Sequence, residues 1–157
     1  GEVASSYTQF MNFSSAYKLN RNLSLFGGAW LGYTQADLKT TGLITSVGAA
    51  QSYSWNMGLD FTEEKHSIGA SVSQPVTLSR SNVNLTVPIG WTANGDIAYD
   101  RSTVSIAPII KQYDIGLYYK YKTKNLNLIT YGEHQIHYLN QQGETNQQLG
   151  FALSKEF

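Results

Sequence analysis

The chain has 157 residues, with 11 basic and 11 acidic side chains and no formal net charge, so it offers no electrostatic footing for nucleic acid. The absence of cysteine excludes disulfides and thiolate chemistry, and the charged fraction of 14% lies well below the roughly 25% of an average soluble domain. No stretch reaches the ~18 consecutive apolar residues of a transmembrane helix. Low charge without a hydrophobic block is the composition of a transmembrane β-barrel, in which lipid-facing and lumen-facing residues alternate and cancel in any average. The slightly negative mean hydropathy of −0.28 is therefore compatible with a membrane. Gly1-Glu2-Val3 carries no secretory signal, so an exported protein is expected here as a mature chain or a fragment.

Taken in order, the chain reads as strands. Segment 7–19 places Met11, Phe13, Tyr17 and Leu19 on one face and ends in the turn Asn20-Arg21-Asn22. Segment 22–36 aligns Leu23, Leu25, Ala29, Leu31 and Tyr33. Its other face, with Phe26 and Trp30 among Ser24, Gly28 and Gly32, puts aromatic bulk inside. In segment 50–62 the split is cleanest, with Tyr53, Trp55, Met57, Leu59 and Phe61 expected toward lipid and Asn56 and Asp60 toward the lumen. A polar turn at Thr62–His66 leads into segment 66–79, where Ile68, Ala70 and Val72 share a face.

The long excursion Ser79–Pro108 holds Val83, Leu85, Val87 and Ile89, then Asn94-Gly95, then Ile97 and Tyr99. Asn-Gly between alternating runs is a strong hairpin signal and predicts an extracellular β-hairpin. Segment 108–122 sets Tyr113, Ile115, Leu117 and Tyr119 toward lipid and Asp114 and Lys120 toward the lumen. In segment 125–137 Leu128 and Ile129 are adjacent, and a bulge is expected to absorb the change of phase. Segment 147–157 alternates Leu149, Phe151 and Leu153 with small or polar residues and stops on Phe157.

Seven membrane strands result, each long enough at roughly 3.3 Å per residue and ~40° tilt to cross an apolar band of about 25 Å. Short connections near 20–22, 62–66 and 123–125 alternate with long ones at 37–50, 80–108 and 139–146, the asymmetry of periplasmic turns and external loops. An odd count leaves the first and last strands parallel, so closure calls for further β-strands from the rest of the same chain or from another barrel.

Enzyme chemistry finds little footing. His134 and His137, beside Glu133, face opposite sides of a strand and cannot chelate one ion without a bulge. His66 lies in a solvated turn with Glu63, Glu64 and Lys65, and no serine sits in a nucleophile elbow. Asp60, Asp114 and Lys120 read as charge pairs inside a barrel. No catalytic residue, metal or cofactor is expected.

From Val72 onward the chain resembles the C-terminal part of an autotransporter β-domain, most like those behind subtilisin-like serine protease passengers. The resemblance is carried by Val72-Ser73-Gln74-Pro75, Asn94-Gly95, Tyr99-Asp100-Arg101, Ala107-Pro108, the run Tyr113-Asp114-Ile115-Gly116-Leu117-Tyr118-Tyr119, and Phe157. Lys155 departs from it, standing where the terminal pattern usually has an aromatic. The family implies a twelve-stranded barrel in the bacterial outer membrane, of which residues 1–157 form one translocator segment. It also implies export of an N-terminal passenger, contact with outer-membrane lipid, and folding by the barrel-assembly machinery through the assembly signal Leu149, Phe151, Leu153 and Phe157. A porin-like channel or barrel enzyme, and a soluble β-sandwich binding module, remain as alternatives.

Overall fold

Residues that alternate large apolar with small or polar side chains favour extended backbone, because each face then meets one kind of surroundings. In the computed structural model, which describes residues 3–39 and 43–155, this alternation produces an all-β chain. Its ten strands are β1 (Val3–Lys18), β2 (Leu23–Leu38), β3 (Ile44–Val47), β4 (Ala50–Glu63), β5 (His66–Arg80), β6 (Asn82–Trp91), β7 (Ile97–Ser105), β8 (Tyr113–Lys122), β9 (Leu126–Ile136) and β10 (Thr145–Lys155). Seven form one sheet in the order β1-β2-β4-β5-β8-β9-β10, and β3, β6 and β7 form a second. The seven overlap the seven segments expected from the sequence, although β8 begins only at Tyr113, five residues into the expected segment 108–122. The sheet is open: among the described residues no pairing joins β10 to β1. The chain divides into two compact units, one of residues Gly1–Met11, Leu31–Tyr53 and Thr77–Pro108, the other of Asn12–Trp30, Ser54–Val76 and Ile109–Phe157.

In the second unit, β5, β8, β9 and β10 pair antiparallel without a register shift. The expected bulge in 125–137 is therefore absent. Leu128 lies opposite Tyr121 and Leu153, whereas Ile129 lies opposite Lys120 and Ala152 on the other face. A single apolar residue is tolerated on a polar face, so adjacency of two apolar residues did not require a change of phase.

The turns are built from local side-chain acceptors. Asn20 Oδ1 takes the backbone N–H of Asn22 and of Leu23, both at 2.8 Å, and Thr123 Oγ1 takes that of Leu126 at 3.0 Å. The connection after β9 is different, because His137, Leu139 and Asn140 all have φ between 55° and 61°. Such backbone is costly for residues with a Cβ and persists only when neighbours hold it. Gln112 does so: its Oε1 accepts Leu139 N–H at 2.9 Å and its own N–H donates to Asn140 Oδ1 at 3.1 Å. Leu139→Gly should accordingly raise unfolding free energy by about 1 kcal/mol, because the left-handed penalty of roughly 1–2 kcal/mol disappears while an exposed side chain is lost. Urea titration of the folded protein in detergent measures this; a loss of stability would mean that the Leu139 side chain, not its backbone, matters.

The first unit contains the small sheet. β3 falls within 37–50, read from the sequence simply as a long connection; its β-branched Ile44, Thr45 and Val47 are the local signal for a strand. Ile44 pairs with Leu85 and Ser46 with Asn84, leaving Thr45 as an extra residue in a bulge. The hairpin β6–β7 forms where Asn94-Gly95 predicted it. Its turn is a four-residue one closed by Gly95 N–H to Thr92 O at 3.0 Å, with Gly95 at φ +85° supplying the left-handed residue.

Candidate functional site

Register sorts the side chains of the second unit onto two faces. One carries Ile68, Ala70 and Val72 of β5, then Tyr113, Ile115, Leu117, Tyr119 and Tyr121 of β8. It continues through Leu128 and Ile136 of β9, with Thr130 and His134 between them, to Gln147, Leu149, Phe151 and Leu153 of β10. Its middle row runs Ala70, Leu117, Gly132, Leu149 across the four strands. The opposite face carries Ser67, Ser71 and Ser73, Asp114 and Lys120, Glu133 and Gln135, Asn146 and Gln148.

Burial is inverted relative to a water-soluble domain. Among the described residues no hydrophobic side chain is buried, and those that are buried are Ser54, Gln74, Thr77, Ser81, Asp114 and Gln135. Leu149 and Phe151 are 89% and 80% exposed. Single exposed apolar residues are ordinary, but a contiguous apolar face of this extent marks a surface that meets something other than water.

Trp55 lies with the apolar set, its ring 6.4 Å from that of Tyr113, and its Nε1 donates to Gln74 Oε1 at 3.0 Å. Met57, Leu59 and Phe61, at successive alternate positions of β4, are exposed as Leu117 is. Tyr53 belongs to the first unit, where it lines a hollow with Met11, Leu31 and Tyr33. Leu149, Phe151 and Leu153 share the apolar face, and Phe157 lies outside the described residues.

On the polar face Asp60 is held by hydroxyls, its Oδ1 accepting from Tyr118 at 2.8 Å and its Oδ2 from Thr62 at 3.2 Å. Lys120 sits over the Tyr118 ring, 4.5 Å from its centre, so the expected charge pair is mediated by an aromatic ring. Tyr118 can lie flat here because its cross-strand partner is Gly69, where any Cβ would collide with the ring. Gly150 accommodates Tyr131 in the same way. Asn56 lies across Gly28, where a Cβ would stand 3.2 Å from its Oδ1. Asp114 accepts Gln112 Nε2 at 2.7 Å, and its cross-strand partner Gln135 donates to Glu133 at 2.8 Å and accepts from Asn146 at 2.8 Å.

No protein-family model, curated protein or solved structure matches this chain.

The chemistry available on the polar face is hydrogen bonding to water and solutes. Among the described residues no group of three His, Cys, Asp or Glu side chains converges on a metal position. His134 falls on the apolar face opposite Ile115, while His137 is in the loop, where its Nδ1 accepts Gly143 N–H at 3.2 Å. His66 Nδ1 lies 2.7 Å from the Tyr119 hydroxyl, with its ring 4.9 Å from that of Tyr121. Sequence reasoning missed Gln74 and Gln112. Gln74 is an amide two positions beyond Val72 on the same face, and the Trp55 side chain that bonds it lies 19 residues away in sequence.

Proposed function

We propose that this chain is transmembrane β-barrel wall from the bacterial outer membrane, serving as part of an autotransporter translocator that exports an N-terminal passenger. The observation that carries the membrane part is the inverted burial: polar side chains shielded, apolar ones presented as one face. The apolar face suits lipid. His66, Tyr119 and Tyr121, close to the short turn after β4, suit an interfacial aromatic belt, since their polar tips pair while their rings stay on the apolar side. The opposite face, with Asp60, Tyr118, Lys120, Asp114 and Gln135, suits a hydrated lumen through which an extended passenger passes.

The free hydrogen-bonding edges of β1 and β10 cannot face hydrocarbon, so in this reading they pair with strands beyond these seven, or are held by the barrel-assembly machinery during folding. The autotransporter part rests on the sequence resemblance, including Phe157.

The test is electrophoresis of the detergent-purified chain with and without heating. A folded barrel wall should migrate differently before heating, whereas a chain soluble without detergent and indifferent to heating would sink the membrane reading. Deleting Phe157 should reduce assembled protein in cells far more than Leu149→Ala does, although each change removes one apolar side chain, worth at most a few kcal/mol of burial. Losses in proportion to stability would remove the signal role.

A further inference from the structure

The small sheet of the first unit is amphipathic, and its exposed face is graded. Ile44, Val47, Val83, Leu85 and Val104 occupy one face. Because Thr45 is bulged out, Ser46 turns to the other face beside Asn84, and Thr103 completes the row. These three are already joined: Asn84 Nδ2 donates to Ser46 Oγ at 2.8 Å, and Thr103 Oγ1 donates to Asn84 Oδ1 at 2.6 Å. The next row is Thr86 with Arg101, then Pro88 with Tyr99. A second irregularity, at Pro88/Gly90, keeps Trp91 and Ile97 on this same face as the last row. Trp91 is 76% exposed and Tyr99 57%.

Along about 20 Å, at two residues or nearly 7 Å per row, the face thus passes from hydroxyl and amide through one guanidinium to two open aromatic rings. Asp100 points to the opposite face with Val87, so among the described residues of these rows Arg101 is the one charged group. A hollow of about 470 Å³ lies over Ser46, Asn84, Thr86, Arg101 and Thr103, within the size range of ligand sites.

We infer that this face binds an anionic oligosaccharide. A sugar ring presents apolar C–H faces that stack on Trp and Tyr, and equatorial hydroxyls that need both donors and acceptors, which Ser46, Asn84, Thr86 and Thr103 supply. A carboxylate or sulfate on the sugar matches the planar donor fork of Arg101. A lipid surface would be served by a wider apolar tip and more cations, and a peptide strand would add to an edge strand such as β7 and leave this open face uncovered. The hydrogen bonds within the Ser46–Asn84–Thr103 row hold the donors in place before the ligand arrives, which lowers the ordering cost of binding.

The experiment is calorimetric titration of the full chain in detergent micelles with a galacturonate hexasaccharide and with neutral maltohexaose, and pelleting with anionic phospholipid vesicles. The acidic sugar should bind saturably and the neutral one more weakly. Trp91→Ala and Arg101→Gln should each weaken the acidic sugar about tenfold or more, the scale of a lost stacking platform or charged hydrogen bond, and Arg101→Gln should leave maltohexaose unchanged. Trp91→Phe should restore most of the Trp91→Ala loss, and Val104→Thr, on the opposite face, should change nothing. Equal binding of the two sugars, an effect of Val104→Thr as large as that of Trp91→Ala, or binding to vesicles in place of sugars would overturn the inference.

Discussion

Arginine at Leu149 should cost about 2–4 kcal/mol of folding free energy in a bilayer, and arginine at the adjacent Gln148 less than about 1 kcal/mol. The comparison isolates the solvent from the protein. Leu149 is 89% exposed, so almost no protein contact is lost when it is replaced, and in water both changes would fall within the small range of surface substitutions. Only hydrocarbon against the Leu149 face separates them. Leu149 lies in the middle row with Ala70, Leu117 and Gly132, where the depth-dependent penalty for a cation is expected to be greatest, while Gln148 shares the polar face with Glu133. Chemical unfolding of both variants in lipid vesicles measures the difference. Equal costs would remove the bilayer from the account of this face.

Gly58→Ala should destabilise by about 2–3 kcal/mol, near the top of the usual range for overpacking. A Cβ at Gly58 would stand 2.5 Å from the Ala70 carbonyl oxygen and overlap the Phe26 ring. A ring can rotate, but the carbonyl belongs to the strand and cannot. Phe26→Leu combined with Gly58→Ala should therefore recover only part of the loss. Gly116→Ala provides the contrast, because its Cβ would meet only the Ser71 hydroxyl, at 2.9 Å, which can turn away. That variant should be neutral or gain a few tenths of a kcal/mol from the reduced entropy of the unfolded chain. Urea midpoints for the three variants decide it; a Gly58→Ala protein as stable as Gly116→Ala would mean that the close approach of these strands is not maintained in solution.

The aromatic residues of the polar face show why the sequence could be read only so far. Phe26 and Tyr118 violate the simple rule of large outside and small inside, and the sequence signalled that bulk would be enclosed near Phe26 and Trp30. It did not indicate where that bulk would rest. Gly58 and Gly69 accept those rings, and the partners are 32 and 49 positions away in sequence, related only through strand register. The same holds for Asp60, whose alternation assigned a face but whose holder, the Tyr118 hydroxyl, lies 58 residues further on. Lys120 was expected to meet a carboxylate and instead covers the ring of Tyr118, its neighbour two residues back on the same face of β8.

Strand identity in the seven-stranded sheet and the two faces of β5, β8 and β10 were legible in the sequence, because period-2 alternation is a local property that each segment carries alone. The hairpin at Asn94-Gly95 was legible for the same reason, its turn residues being adjacent. Short strand β3 escaped, since four residues hold too few repeats for a period to stand out. Which strands neighbour one another, how Thr45 and Ile89 shift register to place Ser46 and Trp91 on one face, and how Gln112 holds the left-handed loop were decided only by tertiary structure. Those outcomes depend on hydrogen bonds and packing between residues far apart in the chain, and a local pattern contains no term for the distance between them.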